Sequence, residues 1–216
     1  MMADVMKCRA QLFRFVCGLL VMCPFVGASA VAEESLPATP VFVEMSTELG
    51  NIVLEIDSAS APLSAGNFLA LVDGGHYDGA TFYRSVTLAN DRGTPKIEVI
   101  QGGLGDRPAP FGPIAHESTE TTGLRHVDGA ISMARGDVGT ASSEFFICIG
   151  DQPGLDFGAD RNPDRQGFAV FGRVVAGMDV VRRIQQQDAT GASDSEYTKG
   201  QILSKPVLIT RVRRRD

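Results

Sequence analysis

Histidine occurs only three times in the 216 residues, at His76, His116 and His126. No two of them are spaced i, i+4, and His116-Glu117 is followed at position 120 by Glu, so no helical zinc motif can be written. Nothing matches G-x-S-x-G, and Ser142-Ser143 sits in a small-residue loop, which leaves no hydrolytic nucleophile signature. Gly102-Gly103-Leu104-Gly105 lacks the lysine and the following helix that a phosphate loop requires, and reads as a backbone turn. Long apolar runs are missing too. The most apolar stretch, Phe15 to Val26, is interrupted by Pro24 and falls short of the ~20 residues needed to span a bilayer.

That stretch follows Lys7, Arg9 and Arg14 and precedes Ala28-Ser29-Ala30 and Ala30-Val31-Ala32, the pattern of a secretory signal cleaved after Ala30 or Ala32. Residues 1–32 are therefore expected to be removed, for export to the periplasm and with no stable membrane association afterwards. Of the four cysteines only Cys148 then survives, so an intramolecular disulfide is excluded and the thiol is expected to be buried and inert. Removal also takes away three basic groups and one acidic one, moving the net formal charge from −6 to −8. Such a balance argues against nucleic acid as a partner. The arginines at 211 and 213–215 read as a solvated chain end.

Residues 33–40 are polar and carry prolines, as a linker does. Val41–Met45 and Asn51–Ile56 then read as a strand hairpin. Pro62 opens an amphipathic helix with Ala65, Phe68, Leu69 and Val72 on one face, stopped by Gly74-Gly75. Strand patterns recur at 81–86, 97–101, 129–133, 145–149, 168–174 and 205–213, and Met178, Val181 and Ile184 mark a second short helix. In the last strand, alternation predicts Val207, Ile209 and Arg211 on one side and Leu208, Thr210 and Val212 on the other. About eight short strands, two helices and no βαβ rhythm predict a mainly β fold, an antiparallel barrel or sandwich with helices over its ends.

The stretch 131–158 places two short strands around a loop, Gly136 to Ser143, made largely of small residues. Backbone exposed in this way suits pairing with an extended peptide. Arg84 and Gln101 lie on neighbouring strand patterns, where their side chains can leave the same sheet face. On composition alone, Arg84 is simply an arginine on the solvent side of a half-buried strand.

The runs G-H-Y-D-G-A-T-F-Y-R (75–84), V-I-Q-G-G (99–103), G-A-I-S-M-A-R (129–135), S-S-E-F-F-I (142–147), L-D-F-G (155–158) and F-A-V-F-G-R-V-V-A-G-M-D-V-V (168–181) resemble the cyclophilin-type peptidyl-prolyl cis-trans isomerases, of the exported bacterial kind. The resemblance runs from about Val41 to Arg213. It implies a closed eight-stranded antiparallel β-barrel capped by two α-helices, isomerisation of X-Pro bonds in proline-containing polypeptides, no cofactor and no metal; the sequence does not fix the oligomeric state, for which a monomer is the expectation. It also implies catalytic roles for Arg84 and Gln101. Val99, Met133, Phe146, Leu155 and Phe168 would contact the substrate proline, and the backbone of Ala134 would pair with the peptide. Where the family's best-known members carry a tryptophan, this chain has Gly154, which implies weak cyclosporin binding. Phe168 replaces their histidine, Glu144 replaces a glutamine, and the loop 87–96 is longer than usual. A barrel that had lost turnover would instead be a peptide-binding chaperone module.

Overall fold

A computed structural model describes residues 40–215. The expected signal segment 1–32 and nearly all of the linker 33–40 lie outside the described residues. Eight strands form the framework: β1 (Val41–Thr47), β2 (Gly50–Ile56), β3 (Thr81–Val86), β4 (Val99–Gly103), β5 (Ala130–Met133), β6 (Phe145–Cys148), β7 (Ala169–Ala176) and β8 (Ile202–Arg215). They pair antiparallel in the order β1-β2-β7-β5-β6-β4-β3-β8, and β8 returns to β1, so the barrel is closed. Closure leaves no unpaired edge.

Alternation along the strands divides the apolar residues into two sets. Inward side chains, among them Met45, Leu54, Phe82, Ile100, Met133, Phe145 and Phe171, fill the barrel. Outward ones, Val86, Val99, Phe146, Cys148 and Val170, gather with Ile97, Ala130 and Leu155 in a smaller cluster on the barrel's flank. The candidate site is built on this second cluster. Two helices complete the main core: α1 (Pro62–Asp73) packs on β7 and β8, and α3 (Met178–Gln185) packs on β2, β3 and β4. Their buried faces carry Ala65, Phe68, Leu69 and Val72 in α1 and Val181 and Ile184 in α3, matching the expected spacing.

Three details depart from the sequence reading. A third helix, the single turn α2 (Thr119–Thr122), interrupts the long irregular stretch and is capped by the Ser118 side chain. In β8 the expected alternation breaks, because Ser46 opposes Arg211 whereas Thr47 opposes Ile209. Thr210 is thus an extra residue, and the bulge turns Val212 inward and leaves Arg211 exposed. Met133, expected beside the substrate, points the other way: it opposes Phe145 on β6 and both belong to the interior set.

Helix α1 begins without a capping side chain, since Ala61 precedes Pro62. Glu117, from the stretch just before α2, serves instead. One carboxylate oxygen accepts from the Leu63 N–H (3.0 Å), and the other accepts from the Ser64 N–H and hydroxyl (both 2.7 Å). A negative group here satisfies orphan donors at the positive end of the helix dipole. Glu117→Ala should therefore cost about 2 kcal/mol in denaturant unfolding. A loss below about 0.5 kcal/mol would mean that water replaces the carboxylate.

Candidate active site

A bulge in β3 sets the geometry. Phe82 opposes Gly102 and Arg84 opposes Gln101, so Tyr83 is the extra residue. Phe82 points into the core, while Tyr83 and Arg84 both reach the Gln101 carboxamide on the outer face. Regular alternation would have sent Arg84 inward beside Phe82.

Arg84 is braced from two sides. Its Nη1 donates to Gln101 Oε1 (2.9 Å), while Nε and Nη2 both donate to Gln201 Oε1 (2.9 and 2.6 Å). Gln101 is oriented in turn by a short chain: its Nε2 donates to Tyr83 Oη (2.8 Å), which donates to Glu144 Oε2 (2.6 Å). Burial, with the Glu144 charge adding to it, pushes the Tyr83 phenol far above its ordinary range. It stays protonated and can serve that carboxylate at any physiological pH. Burial lowers the Arg84 pKa, but a guanidinium starts so high that it remains charged. Among the described residues no carboxylate forms an ion pair with it.

Beside this cation lies a cavity of about 460 Å³. Ile97, Val99, Phe146, Leu155, Ala134 and Phe168 give it an apolar lining, and Arg84 and Gln101 stand on one side. Phe168 meets Phe146 edge-on, with ring centroids 5.2 Å apart, and the Arg135 guanidinium lies 5.2 Å from the Phe168 centroid. The structure thus gathers every residue singled out from the sequence except Met133. At Ala134 the backbone N–H already donates to the Glu144 carbonyl (2.8 Å), so peptide pairing there would have to use the Ala134 carbonyl.

The remaining wall comes from loops that sequence patterns left blank. Arg161 forms a fork with buried Asp91 (2.7 and 2.8 Å) and also donates to the Pro95 carbonyl and the Tyr197 hydroxyl. Burial pushes the Asp91 carboxyl up, but Arg161 and the N–H groups of Gly93 and Ile97 outweigh it and hold it below the usual range. The Tyr197 ring lies 5.5 Å from the Arg84 guanidinium and 5.8 Å from that of Arg161. Loops 87–96 and 158–166 and the segment before β8 are thereby tied together at the cavity. Gly154 belongs to the same joint, because a Cβ there would run into the Pro95 ring. Pro95 covers the place where a tryptophan side chain would begin.

Beneath the floor, His126 is fully enclosed. Its Nδ1 is 2.8 Å from Asp156 Oδ1, its Nε2 is 3.1 Å from Ser132 Oγ, and its ring stacks on Phe146 with centroids 5.8 Å apart. The residue types are those of a hydrolase triad, but Ser132 is completely buried and can meet no substrate. The set instead fixes the plane of Phe146. Burial lowers the His126 pKa more than Asp156 raises it. The unfolded chain therefore binds this proton more readily than the folded one. His126 contributes stability that is fully present above its unfolded value of about 6.5 and is lost as pH falls through the folded value. Unfolding free energy should decline from pH 7 to about 5, before carboxylates with unfolded values near 4 contribute. His126→Gln should flatten that decline, as denaturant titrations across this range would register.

Comparison with known proteins gives the same outline. Residues 42–213 match the family of cyclophilin type peptidyl-prolyl cis-trans isomerases. A peptidyl-prolyl cis-trans isomerase, cyp18, of Streptomyces antibioticus is 39% identical over 147 residues, spanning 66% of this chain and 82% of that protein. Peptidyl-prolyl cis-trans isomerase A of Dickeya dadantii is 34% identical over 175 residues, 79% of this chain and 83% of that one. Among solved structures, a cyclophilin type isomerase of Cryptosporidium parvum aligns with a TM-score of 0.59 at 19% identity, covering 82% of this chain and 99% of its own. A second crystal structure of that protein, in the presence of the dipeptide Ala-Pro, aligns equally well at 20% identity. With four-fifths of its length matched to the family and its barrel closed in the same way, the chain belongs to the cyclophilin-type peptidyl-prolyl cis-trans isomerases.

Proposed function

We propose that the cavity seats the ring of a substrate proline and that Arg84 drives rotation about the preceding peptide bond. The observation that carries this reading is the Arg84 guanidinium: charged, largely enclosed, held by two neutral carboxamides and placed beside an apolar cavity of about 460 Å³. Rotation about X-Pro has a barrier of about 18–20 kcal/mol, because conjugation between the nitrogen lone pair and the carbonyl must be broken. In the twisted state the nitrogen becomes pyramidal and its lone pair can accept a hydrogen bond. Neither planar isomer offers that acceptor.

A fixed N–H donor aimed at the prolyl nitrogen thus binds the twisted state in preference to both ground states, and the barrier falls by that difference. No bond is cleaved and no proton has to be transferred. Phe146, Val99 and Leu155 hold the ring still while the acyl side turns, with Phe168 and Ile97 excluding water. Gln101 steadies the guanidinium and offers polar contact to the peptide backbone.

Folding assistance in the cell envelope is the setting we infer, from the basic cluster, apolar run and small-residue cleavage sites of residues 7–32. Sequencing the mature N-terminus after cell fractionation tests it, and a chain retaining Phe15 to Val26 would count against export by cleavage.

The chemistry is tested with proline-containing peptides followed by NMR exchange or a protease-coupled assay. Arg84→Ala should lower kcat/KM at least ~100-fold, the scale for removing one transition-state donor, while leaving the fold and peptide affinity largely intact. A wild-type protein that binds such peptides without accelerating their isomerisation would instead be a chaperone module.

A further inference from the structure

Gln201 lies 117 residues from Arg84 in sequence, just before β8, and is completely buried. Both ends of its carboxamide are committed. Oε1 takes the Nε and Nη2 hydrogens of Arg84, and Nε2 donates to the Asn90 carbonyl (3.0 Å). Asn90 is itself locked: its Oδ1 accepts from the Thr87 N–H (2.8 Å), and its Nδ2 donates to the carbonyls of Ser85 (3.1 Å) and Gly200 (2.9 Å). Turning the Gln201 amide over would set its NH₂ against the guanidinium and its oxygen against a carbonyl, so one orientation is enforced.

A guanidinium has five N–H groups. Gln201 takes two of them and Gln101 a third, leaving one on each terminal nitrogen outside this double grip. Gln101 alone would fix a single nitrogen and let the plane pivot. The second brace, gripping the Nε edge, fixes the plane. Because the acceptor is a neutral oxygen, the full positive charge stays available to the cavity.

We propose that Gln201 is a positioning residue of the isomerisation reaction, acting on substrate only through Arg84. The role rests on the isomerase reading above. Gln201→Leu, similar in volume and without an acceptor, should lower kcat/KM at least ~10-fold, the change falling on kcat with KM moved less than about twofold. A lysine at position 84 cannot use the fork, so in an Arg84→Lys background the same substitution should change kcat/KM by less than about twofold.

Equal losses in both backgrounds would mean a general structural effect and overturn the proposal, as would an unimpaired Gln201→Leu enzyme. Should that variant fail to fold, Gln201→Asn, one methylene too short to reach Arg84, is read by the same two-background comparison. An inactive wild-type protein would refute the isomerase reading itself, and this role with it, whereas an active wild type with an unaffected Gln201→Leu refutes this role alone.

Discussion

Everything at the site depends on keeping one guanidinium charged, oriented and free of a counterion in a partly enclosed, apolar place. Burying a charge costs several kcal/mol unless hydrogen bonds replace its lost water. A carboxylate would offset that cost most directly, but it would also cancel much of the field that Arg84 presents to the cavity. The protein uses neutral oxygens instead, those of Gln101 and Gln201. The nearest anion in the hydrogen-bonded chain, Glu144, acts at two removes through Tyr83 and Gln101. Its charge polarises the chain in the direction that makes Gln101 Oε1 a better acceptor, without contacting the cation.

The loops around the cavity are a second consequence of the same constraint. A charge held by long carboxamides keeps its geometry only if the backbone carrying them is fixed. Asn90 joins the loop 87–96 to Gln201, and the Asp91–Arg161 fork joins that loop to the segment 158–166. Arg135 repeats the device from the end of β5, with its fork to Asp164 (2.7 and 3.0 Å) and its bonds to the Gly167 carbonyl. Forks of this kind, the Asp91–Arg161 one buried and the Arg135–Asp164 one ending on an exposed carboxylate, hold loops in place without a disulfide, and the one cysteine among the described residues, Cys148, is enclosed in the flank cluster with its thiol pKa pushed up by burial. Pro95 against Gly154 completes the joint, its ring occupying the space that a side chain at 154 would need.

Much of the framework was legible because it is local. Alternation marked the strands, the i, i+3, i+4, i+7 spacing of Ala65, Phe68, Leu69 and Val72 marked α1, and adjacent Phe145 and Phe146 necessarily face opposite sides of β6. Arg84 and Gln101 could be paired because their strand patterns are near neighbours in the chain. The same logic failed where one residue was inserted. In β8 the bulge at Thr210 inverts the facing of whatever follows, and nothing in the residue pattern announces it, whereas the bulge at Tyr83 leaves Arg84 on the face it was expected to share with Gln101. Met133 was misplaced for a related reason: motif proximity to Ala134 says nothing of which way the pleat turns it.

The sequence by itself determined the eight strands, the two longer helices and the family to which the chain belongs, all of which reside in short contiguous patterns. Tertiary structure alone decided that Gln201 and Tyr197 stand at Arg84, that Asp91 finds Arg161, and that Pro95 fills the space above Gly154. These are contacts between segments tens of residues apart, brought together by barrel closure and loop packing, and no periodicity or spacing along the chain encodes such a meeting.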